Sequence, residues 1–525
     1  MRKVGLQNVS HQRNQSVNLI VNKSIQAVSD QPTRKTAGRM AVVDIGSNTV
    51  RLVVYDTPNR LPVPIFNEKS LCQLGEGLAS TGQLNPAGVK CAISSLSRFV
   101  RLGEAMGVER MDLVATAAVR DATDGPEFVQ RVEQLLGMKI QIPSGPEEAQ
   151  LSAMGLLSGT PDADGVLVDM GGGSVDLVEL NRGEFGRTVS LPIGHLRLPH
   201  AAMDNLGKAR KVVNKNLSDL PWLAEGEGRT LFAIGGSWRA LARVFIDQTE
   251  YPLHVIDGYT LKNDDALRMC RFIENLSPET LYGISGVTKA RAHALPFAAM
   301  ILGEMLARTK AKEIAFSGFS MREGHLLKML PNNLSGQDPL LSGCATLAER
   351  TGRFSITGEE IFDWISPLFP SGRDAESRLR LAASMLSDLG WSEHPDYRAE
   401  HSFLRTLRLP FSGLSHADRV FLSLAIFVRY NGDPDNRLVK SVRLLMTDYD
   451  EGYANITGLA LRLAHTVSGS APGILSRTQF VMDEQTVRLQ LPIVRNGEQD
   501  IFAGDAVGRR FKTLARALGR EPIIE

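Results

Sequence analysis

Cysteine is scarce. Only four occur in 525 residues: Cys72, Cys91, Cys270 and Cys344, far apart and without metal-like spacing. That excludes a disulfide framework and a cysteine-bound metal, and the four read as free thiols in a reducing cytoplasm. No stretch reaches the roughly 18 apolar residues of a membrane span. The best candidate, Ala294–Ala307, is interrupted by Pro296 and Glu304 and reads as a buried helix, so no membrane partner is expected. Net charge is nearly absent at +1. Bulk charge gives a polyanion no help, nucleic acid is not expected as a partner, and any attraction must come from local clusters. Acid is missing from residues 1–38 except for Asp30. This segment is rich in Asn, Gln, Ser, Lys and Arg and lacks the apolar core of a secretory signal. It reads as a disordered basic arm.

What remains is a soluble globular composition, 43% hydrophobic and 22% charged. The chain is too long for one core, so two to four domains are expected. Its most informative feature is a repeated phrase. Val43-Asp44-Ile45-Gly46-Ser47-Asn48-Thr49-Val50-Arg51-Leu52-Val53 returns as Val168-Asp169-Met170-Gly171-Gly172-Gly173-Ser174-Val175-Asp176-Leu177-Val178. Each copy is an apolar strand, an Asp, a turn of small residues and a second apolar strand. Glycine and small polar residues let backbone N–H groups come close to a phosphate. Two such turns facing each other would grip a phosphate chain from both sides, with the carboxylates holding a divalent cation or a water beside it.

Around these turns, strands alternate with helices. Strands are expected at Met40–Asp44, Val50–Asp56, Met111–Ala115, Lys139–Ile142, Gly165–Asp169, Ser174–Leu180, Glu184–Leu191, Thr230–Ile234 and Ile314–Phe316. Helices are expected at Pro86–Met106, Pro126–Leu136, Pro146–Leu157 and Ser237–Phe245. Ser144, with Glu147 three residues on, suits a capping box for the third helix. The alternation argues for two α/β domains, and the duplication suggests that they share a fold. Beyond the break at Pro331-Asn332-Asn333, the segments Asp338–Gly352, Gly358–Leu368, Glu376–Leu389, Tyr397–Arg408, His416–Tyr430 and Lys440–Ala464 read mostly as helices. Trp364 and Trp391 are expected in the core between them. Phe480–Leu491 reads as a strand and Gly508–Leu518 as a basic helix.

A third glycine site, Ala233-Ile234-Gly235-Gly236-Ser237-Trp238, runs from a strand into a helix, whose free N–H groups favour an anion. Together with the two repeated turns it resembles the phosphate-site motifs of the exopolyphosphatase/guanosine pentaphosphate phosphatase family. Further segments resemble that family in the same order: Ala115-Thr116-Ala117-Ala118-Val119-Arg120, Ser144-Gly145-Pro146-Glu147-Glu148-Ala149, Ser190 to Leu198, and Ser317 to Gly324. The resemblance covers about residues 40–330. It implies two ribonuclease H-like α/β domains of the actin, sugar kinase and chaperone ATPase superfamily, over 39–145 and 146–330. A mainly helical C-terminal domain over 331–525 would follow, as in long family members.

The resemblance also implies roles. Glu148 matches the proposed catalytic base and Arg120 the phosphate-contacting arginine. Gly46, Ser47, Asn48, Thr49, Gly171, Gly172, Gly173, Ser174, Gly235, Gly236 and Ser237 would bind phosphate, and Asp44 and Asp169 would hold Mg²⁺, or Mn²⁺ in its place. The implied activity is hydrolysis of the terminal phosphoanhydride of inorganic polyphosphate, with guanosine pentaphosphate as the alternative substrate. A homodimer is expected because long members are usually dimers. Two departures stand out. Gln73 precedes Leu74-Gly75-Glu76-Gly77 where relatives often carry a basic residue. The region after 331 has no adjacent His-Asp pair, and its His394, His401 and His416 are scattered, so it reads as structural or substrate-guiding. The basic runs Lys208, Arg210, Lys211, Lys215 and Arg509, Arg510, Lys512, Arg516 are solvated faces or a track for a long polyanion. Two readings from other classes compete: a sugar kinase of the same fold, which lacks its sugar motifs here, and a polyphosphate sensor without turnover.

Overall fold

The computed structural model describes residues 38–56, 59–284, 286–352, 356–370, 373–492 and 504–525. They fall into two compact units, one ending at Ser335 and one beginning at Gly336. Apart from Gly38, the basic arm expected over 1–38 lies outside the described residues.

The unit ending at Ser335 holds two sheets. The first comprises β1 (Arg39–Ile45), β2 (Thr49–Tyr55), β3 (Pro64–Leu71), β4 (Val108–Ala115) and β5 (Ile140–Gln141), in the order β3-β2-β1-β4-β5. The second comprises β6 (Gly165–Met170), β7 (Val175–Asn181), β8 (Glu184–Leu191), β9 (Thr230–Ile234), β10 (Tyr259–Lys262) and β11 (Glu313–Phe316), in the order β10-β11-β9-β6-β7-β8. In each, three antiparallel strands are followed by a parallel strand on the free side of the first: β4 beside β1, and β9 beside β6. The sequence repeat is therefore a repeat of topology.

The first strand of each sheet is mostly apolar up to its aspartate because both of its faces are covered. Ala41, Val43 and Ile45 pack with Leu96 and Phe99 of α1 (Pro86–Ala105). Met40 and Val42 face the other way, toward Leu151 and Leu326. These come from α3 (Gly145–Gly159) and α6 (Met321–Met329), which pack along each other. Ala149, Ala153 and Leu156 of α3 bury against Leu167 and Val178 of the second sheet. Helix α3 is thus held between the two sheets, each buried aliphatic side chain contributing about 1.5–3 kcal/mol. Its start is fixed by the expected capping box, in which the Ser144 N–H donates to Glu147 Oε2 at 2.8 Å. Two further helices frame the site: α2 (Ala117–Asp121) after β4, and α4 (Gly236–Gln248) after β9. Helix α5 (Leu295–Thr309) is buried, as its apolar run implies.

The unit beginning at Gly336 is mainly helical. Its longer helices are α7 (Pro339–Thr351), α8 (Gly358–Ile365), α9 (Asp374–Leu386), α10 (Arg398–Leu407), α11 (His416–Arg429), α12 (Asp448–Ser468) and α13 (Asp505–Ala517). A small sheet, β12 (Gln479–Met482), β13 (Thr486–Gln490) and β14 (Glu521–Ile524), joins them. Trp364 is buried and donates from Nε1 to Thr478 Oγ1 at 2.8 Å. Trp391 is not core: it is 41% exposed, with the Arg398 guanidinium over its ring. The expected helix Lys440–Ala464 is broken near Thr447, whose side chain caps α12 through Asp450. The single strand expected at Phe480–Leu491 is a hairpin, turned by Asp483, which accepts from the N–H groups of Gln485 and Thr486. Among the described residues no helix is long and apolar enough to cross a membrane.

Candidate active site

The two repeated turns close alike. Gly46 N–H donates to Thr49 O and Gly171 N–H to Ser174 O, each at 3.0 Å. Across the ladders, Asp44 stands opposite Arg51, and Asp169 opposite Asp176. The turns approach each other: a Cβ built on Gly172 would lie 3.1 Å from Ser47 Cβ. The third glycine turn reaches the same point. Gly235 has φ of +110°, and a Cβ there would stand 2.7 Å from Asp169 Oδ1, so only glycine serves. Helix α4 starts at once, with its N-terminus toward the site.

Asp44, Gly46, Ser47, Asn48, Thr49, Glu148, Asp169, Gly171, Gly172, Gly173, Ser174, Gly235, Gly236 and Ser237 line one cleft of about 510 Å³, within the roughly 300–1,000 Å³ of small-molecule sites. Arg120 stands behind Glu148, its Nη1 2.7 Å from Glu148 Oε2 and 2.9 Å from Pro143 O. Arg120 lies in α2, and its guanidinium reaches Glu148 of α3. Asp44 accepts from Arg322 Nη1 at 3.3 Å, and Asp169 from Ser152 Oγ at 2.5 Å.

Burial dominates the acidic side. It pushes Glu148 up to about 7 against the pull of Arg120, with Asp169 and Asp44 adding repulsion. Asp169 is raised to about 6, chiefly by burial and against Ser152. Asp44 is raised by burial, with Arg322 opposing. Asp176 is pushed up to about 8 by burial and by Glu148, while Ser190 donates to it.

The cleft also carries Arg51, Lys69, Arg239 and Arg291. Among the described residues none of these four is in an ion pair with a carboxylate. Burial lowers Lys69, and repulsion from Arg291, Arg51 and Arg239 lowers it further. Arg239 is pushed down to about 10 by burial and by Arg322, and its Nη1 has no hydrogen-bond partner among the described residues. Sequence reasoning missed these cations and Asp176. Arg51 and Asp176 lie inside the repeated phrase, at matching positions, and that match was the available signal. Lys69, Arg239 and Arg291 carry no local signal, since only the fold gathers them.

Among the described residues no three His, Cys, Asp or Glu side chains form a cage for a metal ion. Mg²⁺ does not need one, because it is commonly held by one or two carboxylates, water and substrate phosphates. The hard carboxylate oxygens of Asp169 and Asp44 fit that mode, Asp169 being raised by burial and, among its lesser causes, by the charge of Asp44.

Of the basic runs, Arg210 is engaged by Glu274 and Glu304, and Arg510 by Thr466.

Residues 53–333 match the Ppx/GppA phosphatase family, and residues 347–523 match the exopolyphosphatase C-terminal family. Exopolyphosphatase 2 of Mycobacterium tuberculosis is 25% identical over 317 residues, which span 57% of this chain and 99% of that protein. Retrograde regulation protein 2 of Saccharomyces cerevisiae is 25% identical over 445 residues, 75% of this chain and 72% of that protein. The crystal structure of an exopolyphosphatase from Cytophaga hutchinsonii is 24% identical and covers 55% of this chain and 97% of its own, with a TM-score of 0.51. It shares the fold of the two-sheet unit, in which the two glycine turns face one cleft. With its first family match extending over more than half of its length, the chain belongs to the Ppx/GppA phosphatase family.

Proposed function

We propose that this protein is an exopolyphosphatase, hydrolysing the terminal phosphoanhydride of inorganic polyphosphate and releasing orthophosphate. The observation that carries the reading is the charge arrangement of one cleft: four cations that have no ion-paired carboxylate among the described residues, beside buried carboxylates whose base is poised near neutrality. Cations crowded against one another call for a polyanion. Relatives named exopolyphosphatase point to the same substrate.

In this reading the amides of the three glycine turns and the cations hold the terminal phosphates. Ionised Glu148 accepts a proton from a water as the water oxygen attacks phosphorus. The P–O bond to the chain breaks, and its electron pair leaves on the shortened polyphosphate. A pKa near 7 suits a general base at neutral pH. Arg120, which is not among the residues lining the cleft, orients Glu148 from behind; the resemblance assigns it contact with the phosphoryl oxygens as well. Asp44 and Asp169 would hold Mg²⁺ or Mn²⁺, which when bound neutralises charge on the phosphates. The lobes divide near residue 145. From the resemblance comes the further proposal of a homodimer, which light scattering checks; from the free thiols comes that of a cytoplasmic location, where they stay reduced.

The test is phosphate release from long polyphosphate and from guanosine pentaphosphate, side by side, with Mg²⁺ and with chelator. Faster release from polyphosphate supports the proposal, and faster release from the nucleotide moves the assignment to the alternative substrate. No release from either, or transfer only to a sugar acceptor, overturns it.

A further inference from the structure

The two phosphate turns are braced by equivalent segments, the second of which also reaches the cleft wall through His195 and Leu196. After β3, the Cys72 and Gln73 N–H groups donate to Asn48 O at 3.1 and 2.9 Å, and Gly75 N–H donates to Ser47 O at 2.8 Å. After β8, Gly194 N–H donates to Gly173 O at 3.2 Å, Leu196 N–H to Gly172 O at 2.9 Å, and His195 N–H to Gly171 O at 3.2 Å. In a planar trans peptide the C=O and the following N–H point in opposite directions. Tying down the carbonyls of Ser47, Gly171 and Gly172 therefore turns the N–H groups of Asn48, Gly172 and Gly173 away from the brace. These amides have no protein acceptor among the described residues. The closeness of the second brace depends on Gly194, where a Cβ would fall 2.5 Å from Gly172 O and Ser174 N.

The braces differ in one respect. The first uses backbone donors alone on a turn whose residues, Ser47, Asn48 and Thr49, have restricted backbones. The second must hold three successive glycines, which lose the most conformational freedom on ordering. There a side chain is added. His195 Nδ1 lies 2.7 Å from Gly171 O, and because a carbonyl only accepts, Nδ1 carries the proton. Burial of the ring and the nearby Arg291 disfavour the imidazolium, which fixes this tautomer of the neutral ring.

We propose that His195 is a positioning residue: its Nδ1–H, with the His195 backbone N–H, locks the Gly171–Gly172 peptide so that Gly172 N–H is presented to a phosphate oxygen before substrate arrives. This rests on the phosphate-hydrolysing reading of the cleft. Loss of the lock weakens the grip on phosphate and leaves Glu148 and its pKa untouched.

Two variants of the full chain separate this role from packing. His195→Leu keeps bulk and removes the donor. His195→Asn places an amide N–H near the position of Nδ1 and removes the ring. The expected result is a KM for polyphosphate raised about three- to tenfold in His195→Leu, as one net hydrogen bond allows, with kcat within about twofold. In His195→Asn, KM returns most of the way to the starting value despite the lost packing. Unchanged KM in His195→Leu overturns the proposal, as does a raised KM in His195→Asn equal to that of His195→Leu, which makes the ring's volume the cause. Orthophosphate affinity, measured by calorimetry on the same three proteins, tests the lock without turnover. The same ranking there supports it even if the unaltered protein releases no phosphate from polyphosphate, an outcome that overturns only the function proposed above. Equal affinities overturn the lock itself.

Discussion

The two halves of the cleft share a strand, an Asp, a turn and a brace, yet they differ in charge at one matching position. Opposite Asp44 the ladder places Arg51, and opposite Asp169 it places Asp176. The first half is compensated: Asp44 has Arg322, and Arg51 and Lys69 extend the positive side. The second half concentrates acid, with Asp169, Asp176 and Glu148 each pushed up by burial and each feeling a carboxylate neighbour. A duplicated scaffold thus carries an arginine in one half and a carboxylate in the other at one matching position, while cations from both halves, Arg51 and Lys69 from the first and Arg239 and Arg291 from the second, line the cleft. Backbone topology makes the halves alike. A few side chains make them complementary.

The largest effect expected from this division is at Glu148. Glu148→Gln keeps shape and removes the proton acceptor, and losing a general base costs about 10²–10⁴-fold in kcat. Affinity for polyphosphate should hold or tighten, because a negative charge leaves the cleft. Glu147→Gln is the control one residue away. Glu147 accepts from Ser144 N and Oγ in the capping box, so its loss should cost about 1 kcal/mol or less of stability and little turnover. Reversed outcomes would place the base on the wrong one of two adjacent carboxylates.

Next in size is the metal. Chelator should abolish phosphate release, and Mg²⁺ or Mn²⁺ should restore it. Asp169→Asn should lose turnover while the protein stays folded. Asp44→Asn should also slow the reaction but should lower the melting temperature as well, since it leaves the buried Arg322 guanidinium with only the more distant Glu323 as a charge partner. Equal melting temperatures for the two variants would erase the distinction between a compensated and an acidic half. Full activity in excess chelator would remove the metal from the reading.

A smaller change, confined to binding, should follow Arg51→Gln. A charge-assisted hydrogen bond to phosphate contributes about 1.5–3 kcal/mol. KM for polyphosphate should therefore rise at least tenfold, with kcat nearly unchanged and a weaker dependence of KM on salt. A fall in kcat without a change in KM would assign Arg51 to the chemistry and collapse the division of labour.

How much of this could be read beforehand follows from range. The strand–Asp–turn–strand phrase is local, so both copies, both turns and the cap at Ser144 are visible in the chain. So is Glu148, once the family motif is recognised. The cationic wall is not, because Lys69 lies on a half-exposed strand, Arg239 on a buried helix and Arg291 in a short helical turn. Only the closing of two sheets on α3 brings them to one cleft. Trp391 failed for a related reason. Large aromatics usually bury, but an arginine stacked on the outer face lets this one stay at the surface. The hairpin at Asp483 was missed because its turn lies inside a run that otherwise alternates like one strand.

The smallest effect tests the acidic half without substrate. Asp176 has an ordinary carboxyl pKa of 3.8 in the unfolded chain and one of about 8 in the folded protein, raised first by burial and then by Glu148. Between these values the folded state binds the proton that the unfolded state has released. Stability then falls as pH rises, since its slope follows the protons bound by the unfolded state minus those bound by the folded one. Asp176→Asn removes this loss while still accepting from Ser190 Oγ. Its melting temperature should match that of the unaltered protein near pH 4 and exceed it by a few degrees at pH 8, before any metal is added. Arg51→Gln, at the matching position of the other half, should show no such gain. Saturating Mg²⁺ should shrink the advantage of Asp176→Asn, because a dication beside Asp169 eases the repulsion that raises Asp176. An advantage constant across pH would mean that Asp176 is already ionised and compensated in the folded state, and that the acidic half is no more strained than its partner.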